Sequence, residues 1–237
     1  MMKIMTLILM GAFSAPLLSP KTYSYEIKEI EFLKISAGVE FAVRCGNMNK
    51  LEISADSKDD FRVSYKNEKL EITRRGSFLG WLHSPGNVTA ELTLQNLPQS
   101  MRVSAGSAGG MKNCFKNEES FSLSVSSGSS FLLDGGSGSL DQLEVNVSSG
   151  GTVEMRESFH INRMELEATS GSTFEAGTKV VVEEAAVKIS SGASAEICGA
   201  LTVSGRASSG SDVKVSDNTM INGFSTNSGA SYSNCRY

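Results

Sequence analysis

Between Val103 and Tyr232 a triplet of small residues ending in glycine returns seven times. It reads Ser104-Ala105-Gly106, Ser126-Ser127-Gly128, Ser148-Ser149-Gly150, Thr169-Ser170-Gly171, Ser190-Ser191-Gly192, Ser208-Ser209-Gly210 and Asn227-Ser228-Gly229. The glycines step by 22, 22, 21, 21, 18 and 19 residues. A unit of that size cannot enclose a core alone and has to stack on its neighbours, so the period constrains the chain to a solenoid.

Aligned on these glycines, four columns are mostly apolar. Five residues before each stand Met101, Leu123, Val145, Leu166 and Val187, and three before stand Val103, Val125, Val147, Ala168 and Ile189. Three after come Gly109, Phe131, Val153, Phe174, Ala195 and Val213, and five after come Met111, Leu133, Met155, Ala176, Ile197 and Val215. Polar columns separate them, which is the alternation of strands with one buried face. Each repeat reads as a strand, a Ser-Gly corner and a second strand. A third short apolar segment, such as residues 161–164, completes a three-sided coil. The expected fold is all-β: a right-handed parallel β-helix of about seven coils of 18–22 residues, its hand set by the crossover rule. Glycine takes the positive φ that a sharp corner requires. The Ser and Thr hydroxyls before it are expected to bond turn backbone or the next coil, forming hydroxyl ladders. With no G-x-S-x-G elbow and no paired base, these serines read as corners and not as nucleophiles.

Ahead of the repeats the pattern changes. Residues 1–24 resemble an export signal: Lys3, then an apolar run from Ile4 to Phe13, then Ser14 and Ala15 as small residues for cleavage. The run is too short for a comfortable transmembrane helix. Residues 25–100 read as short alternating strands, for example Val39, Phe41 and Val43, or Ala90, Leu92 and Leu94. They are expected to form an antiparallel or mixed sheet that caps the first coil, because an open solenoid end exposes unpaired strand edges. The solenoid itself is assigned to residues 101–237.

Export would place the chain where disulfides persist. Its four cysteines, Cys45, Cys114, Cys198 and Cys235, allow three pairings, and spacing does not choose among them. Cys198 and Cys235 both follow a repeat glycine by six residues but stand two coils apart. At ~4.8 Å per stacked strand that is ~9.6 Å, beyond the ~7 Å reach of a disulfide. A regular solenoid therefore disfavours this bridge unless the last coil frays or folds back, and buried thiols remain an equal reading.

The formal net charge of −4 offers no basic patch for nucleic acid. Two features could meet a ligand. One is the loop of residues 76–86, where Phe78, Trp81 and Leu82 would form a contact for a protein, glycan or membrane surface if exposed, the alternative being that they tuck into the sheet. The other is the column Glu154, Glu175 and Glu196, continued by Lys214. It reads as a solvated face, or as a cation or carbohydrate face, since stacked like charges invite a counter-ion. A polysaccharide-cleaving enzyme would need clustered carboxylates in a groove made by long loops. The repeats have tight corners, so the chain is expected to be non-enzymatic, with this Glu column as the alternative's only carboxylate cluster. His83 and His160 are expected to be surface or packing residues, and no cofactor or metal is expected.

The order of the motifs Phe32-Leu-Lys-Ile-Ser-Ala-Gly-Val39, Leu70-Glu-Ile-Thr73, Val88-Thr-Ala-Glu-Leu-Thr-Leu94, Leu97-Pro98 and Val103-Ser-Ala-Gly-Ser107, followed by the Ser-Ser-Gly repeats, resembles a known bacterial family. It is similar to exported domains described as putative autotransporter adhesin, head GIN domain, over about residues 26–235. The resemblance implies a β-helical periplasmic, outer-membrane-associated or secreted domain with no catalytic residues to carry over. The expected role is an adhesin-like or scaffold protein that binds an envelope protein or a glycan. A self-assembling structural protein, a homo-oligomer paired through the C-terminal coil, is the other reading.

Overall fold

The computed structural model describes residues 20–76, 86–112, 114–115, 118–134, 136 and 138–235. Strands dominate, and the only helical element among them is a single turn, Lys58–Asp60, whose N-cap Ser57 and Asp60 bond reciprocally. No helix among the described residues is long and apolar enough to cross a membrane.

The N-terminal part holds β1 (Lys21–Glu26), β2 (Phe32–Ser36), β3 (Glu40–Cys45), β4 (Lys50–Ala55), β5 (Phe61–Lys66), β6 (Lys69–Arg74) and β7 (Thr89–Leu94). The repeats then supply pairs: β8 (Ser100–Ser104) and β9 (Ala108–Lys112), β10 (Glu118–Val125) and β11 (Ser130–Asp134), β12 (Ser139–Val147) and β13 (Thr152–Arg156). Next come β14 (Phe159–Ala168) and β15 (Thr173–Ala176), β16 (Val180–Ile189) and β17 (Ser194–Ile197), β18 (Ala200–Ala207) and β19 (Asp212–Val215), and last β20 (Met220–Thr226) and β21 (Ser231–Asn234). Even-numbered strands from β8 onward stack in parallel in one sheet of ten, and odd-numbered strands from β9 in another of eleven. Seven repeat corners thus enclose about six full turns of a parallel β-solenoid, one fewer than the expected coil count.

The third face expected from the sequence is a bend inside the longer strand. Along β14, burial alternates from Phe159 to Ile161, slips through the exposed pair Asn162 and Arg163, and resumes at Met164. β12 and β16 slip at Gln142 and Glu184 in the same way. The hydrogen-bond register passes over Asp141, Asn162 and Glu183, which is where the strand changes direction without a turn.

At the Ser-Gly corners two consecutive residues are left-handed, for example Ser127 at φ 57° and Gly128 at φ 67°. An added methyl group at Gly128, Gly150 or Gly171 would meet nothing within 4 Å, so glycine is required there for its φ and not for space. From Gly106 to Gly210 each corner glycine donates its N–H to the serine carbonyl one coil on: Gly128 to Ser149 at 3.1 Å, Gly150 to Ser170 at 3.1 Å, Gly171 to Ser191 at 3.0 Å. The ladder at the corner is therefore made by main chain. Of the two residues before each of these glycines the second is exposed and the first half-buried, and the expected hydroxyl contact between coils is made at Ser36 Oγ–Thr73 Oγ1, 3.0 Å. The buried hydroxyls lie one residue after the corner glycine, at Ser107, Ser129, Ser172 and Ser211. Ser172 Oγ donates to the Val147 carbonyl at 3.0 Å, and Ser107 Oγ accepts from Val39 N–H at 3.2 Å.

The interior is one continuous apolar stack from Ile27 to Val215. Large and small side chains alternate along the column Phe41, Gly109, Phe131, Val153, Phe174, Ala195 and Val213. Phe41 and Phe131 stack 6.1 Å apart across Gly109, where a Cβ would lie 2.7 Å from the Phe41 ring. Here glycine is required for space.

Before β8 the same geometry occurs once more. Ser36-Ala37-Gly38 is an eighth corner, with Ala37 at φ 64° and Gly38 donating to the Ala105 carbonyl at 2.9 Å. β2 and β3 pair in parallel with β8 and β9, and β6 and β7 stack below them. Beyond that the chain reverses: β4 is antiparallel to β7, β1 to β4, and β5 to β6.

Two disulfides are present, one where the N-terminal strands meet the repeats and one at the C-terminal end. Cys45–Cys114 joins the exits of the neighbouring strands β3 and β9, with Cα atoms 4.9 Å apart. Cys198–Cys235 also forms, at 6.0 Å, correcting the expectation of about twice the stacked-strand spacing. Cys235 stays in the ladder, its N–H donating to the Val215 carbonyl at 2.8 Å, whereas Cys198 lies in the turn that follows β17 and so leaves the strand spacing.

Candidate functional site

The outer face of the ten-stranded sheet carries a groove of about 510 Å³. Two outward columns of its long strands build it. One runs Glu144, Glu165, Ala186 and Ser204, and the other Asn146, Glu167, Lys188, Arg206 and Ser225. The first column drops from two glutamates to Ala186, and that loss of side-chain volume opens the floor. Lys188 Nζ meets Glu167 Oε1 at 2.6 Å on one bank. On the next strand Gly205 has φ 120°, and a Cβ there would lie 1.9 Å from the Val187 carbonyl oxygen, so the backbones approach closely under the groove. A bulge between Val203 and Gly205 shifts the register against β20 at this point. The groove thus presents rows of carboxylate, amide, ammonium, guanidinium and hydroxyl groups repeating at ~4.8 Å.

The Glu column from the sequence lies on the other sheet. Glu154, Glu175, Glu196 and Lys214 are direct neighbours in register across β13, β15, β17 and β19. The three glutamates line a smaller depression of about 270 Å³ together with Arg156 and Lys179. Arg156 Nη2 donates to Glu154 Oε2 at 2.9 Å, and Lys214 Nζ lies 3.4 Å from Glu196 Oε2. The bond to Glu154 holds the Arg156 guanidinium above its already high ordinary pKa. The column is relieved at both ends by cations of the chain itself. Among the described residues the one trio of ligand-type side chains converging within 4.8 Å is Glu196, Cys198 and Cys235, and its two sulfurs are bonded to each other.

Phe78, Trp81, Leu82 and His83 lie outside the described residues. The segment that contains them joins β6 in one sheet to β7 in the other. His160 is exposed, with Nε2 3.0 Å from Glu183 Oε1. The groove between the outward pairs Glu144–Glu165 and Glu167–Lys188 was not read from the sequence. The available signal was the small residue Ala186 in an otherwise charged outward column.

The family model described as "Putative auto-transporter adhesin, head GIN domain" matches residues 31–219. Among solved structures, a "putative adhesin" from Parabacteroides merdae is 13% identical, with a TM-score of 0.73, covering 92% of this chain and 97% of its own. A "putative adhesin" from Bacteroides fragilis is 11% identical, with a TM-score of 0.73 and coverage of 93% and 99%. A "putative lipid binding protein" from Parabacteroides distasonis is 12% identical, with a TM-score of 0.65 and coverage of 92% and 97%. At such identities the likeness is one of fold. No curated protein matches the chain.

Proposed function

The chain belongs to the head GIN domain family, and from that premise we propose that it is an exported, non-enzymatic, adhesin-like protein that binds an extended glycan along its ten-stranded sheet. The observation that carries this reading is the groove over Ala186, banked by Glu144 and Glu165 on one side and Lys188 and Arg206 on the other. Its donors and acceptors repeat with the strand spacing, of the same order as the repeat of sugar units in a polymer. The exposed floor is Ala186 with half-exposed Gly205 beside it, and both banks are polar and charged, which suits a polar polymer with a small apolar face better than an acyl chain. A non-enzymatic role is supported by the way Arg156 and Lys214 engage the two ends of the Glu column.

The test is binding of the chain lacking residues 1–24 to a glycan array and to intact cells, compared with Ala186→Trp and Arg206→Glu. Both positions are exposed, so the fold should persist. Glycan binding that weakens at least tenfold in both variants supports the groove, and unchanged binding removes it. The enzymatic alternative is tested by uronate-containing glycans with wild type and the Glu154→Gln/Glu175→Gln/Glu196→Gln variant. Turnover by the wild type alone would overturn the non-enzymatic reading.

A further inference from the structure

We propose that the C-terminal coil is a self-association surface, through which two copies stack tail to tail with β21 of one antiparallel to β21 of the other. Among the described residues no strand pairs with the outer edge of β20 or β21. Positions that are interior in every earlier coil are open here. Ile221 pairs with Val203, which is 0% exposed, yet is itself 42% exposed. Tyr232 pairs with Val213, also 0% exposed, yet is 39% exposed, and it leans on Phe224 with ring centroids 5.9 Å apart. Such a layer offers apolar surface and unpaired main-chain groups together, which only another strand layer satisfies.

Charge selects which layer. From Asn218 to Cys235 there is no charged residue. The strand edges at the opposite end carry Lys21 and Glu26 on β1 and Arg62 and Lys66 on β5, the usual protection of an exposed edge. A head-to-tail contact would bury those charges against a neutral surface and would propagate into filaments. A tail-to-tail contact meets a surface of its own kind and closes after two copies. β20 is blunted by its bulge at Gly223, φ 69°, so the strand pairing falls to β21, which has neither bulge, proline nor charge. The Cys198–Cys235 bond anchors the exit of β21 to the preceding coils and keeps its edge in register.

The contact is small. β20 has seven residues, or ~23 Å at ~3.3 Å per residue, and two packed sheets lie ~10 Å apart, so the end layer offers roughly 230 Å² per copy. A stable interface buries about 800 Å² per partner. A weak, concentration-dependent dimer is therefore expected.

Sedimentation of residues 25–237 from ~10 μM to ~1 mM tests this. The expected result is a monomer–dimer equilibrium that Ser233→Lys and Ile221→Lys each weaken at least tenfold. The first sets two ammonium groups against each other near the two-fold axis. Leu201→Lys, at an exposed position one coil inward, should leave the equilibrium as in wild type. A monomer at every concentration overturns the proposal, as does a dimer that survives both substitutions or a series of ever larger species. Circular dichroism of each variant confirms that the solenoid is intact.

Discussion

The two ends of this solenoid solve the same problem differently. At the N-terminal end the chain reverses: β4, β1 and β5 run antiparallel to the stack, and the outermost strands carry charges. At the C-terminal end the parallel stack stops at an uncharged coil, tied back by Cys198–Cys235. The interior needs neither device, since each coil is held by the same corner, the same main-chain ladder and the same apolar columns as the one before. In a parallel solenoid the middle is a matter of repetition, and the ends have to be specified separately.

The largest effect should come from the shared interior. Phe174 is fully buried in a middle coil, with Val153 and Ala195 as its stacked neighbours. Phe174→Ala leaves a cavity and should cost about 3–5 kcal/mol in denaturant unfolding. A loss below about 1 kcal/mol would mean that the column is not close-packed. The disulfides come next. Replacing Cys198 and Cys235 by Ser should cost about 2–4 kcal/mol, concentrated in the last coils, because the bond closes 37 residues that include the whole open end. The same change at Cys45 and Cys114 should lower stability without exposing one end selectively, because β3 remains paired on both sides. If proteolysis attacks both variants at the same sites, the distinction between the ends fails.

Smaller effects sharpen the contrast. Gly171→Ala places a methyl group on a residue at φ 65° and should cost about 1 kcal/mol globally. Gly229→Ala, at φ 76° in the last corner, should loosen only the final coil, read as faster amide exchange there with little change in Tm. The least is expected from Glu71 on β6. Its carboxyl is held below the ordinary value of 4.5, first by the hydrogen bond from Lys69 and then by Lys34, against some desolvation. A carboxyl with a lowered folded pKa stabilises the fold fully above 4.5 and loses that contribution as pH falls through the folded value. The Tm gap between wild type and Glu71→Gln should therefore be visible at pH 7 and close in strong acid. A gap that widens in acid would contradict the assignment.

What the sequence made legible follows from repetition. The corners and four apolar columns were readable because seven copies voted on each position. The corner Ser36-Ala37-Gly38 was not read as one of them because 68 residues separate its glycine from Gly106, so no period reveals it. The bend at Asp141, Asn162 and Glu183 was read as a break between strands, since a slipped alternation looks the same as an interruption. The Cys198–Cys235 bond contradicted a spacing argument that holds only inside strands. The groove over Ala186 was hidden for another reason: a missing side chain becomes a cavity only when neighbouring rows are in register. The aromatic loop around Trp81 lies outside the described residues.

Amide hydrogen exchange along the chain, oxidised wild type against Cys198→Ser/Cys235→Ser, tests the difference between the ends most directly. The expected result is loss of protection confined to β18–β21, with the interior strands β8–β15 and the antiparallel cap β1–β7 unchanged. Protection lost evenly along the solenoid, or retained everywhere, would contradict it.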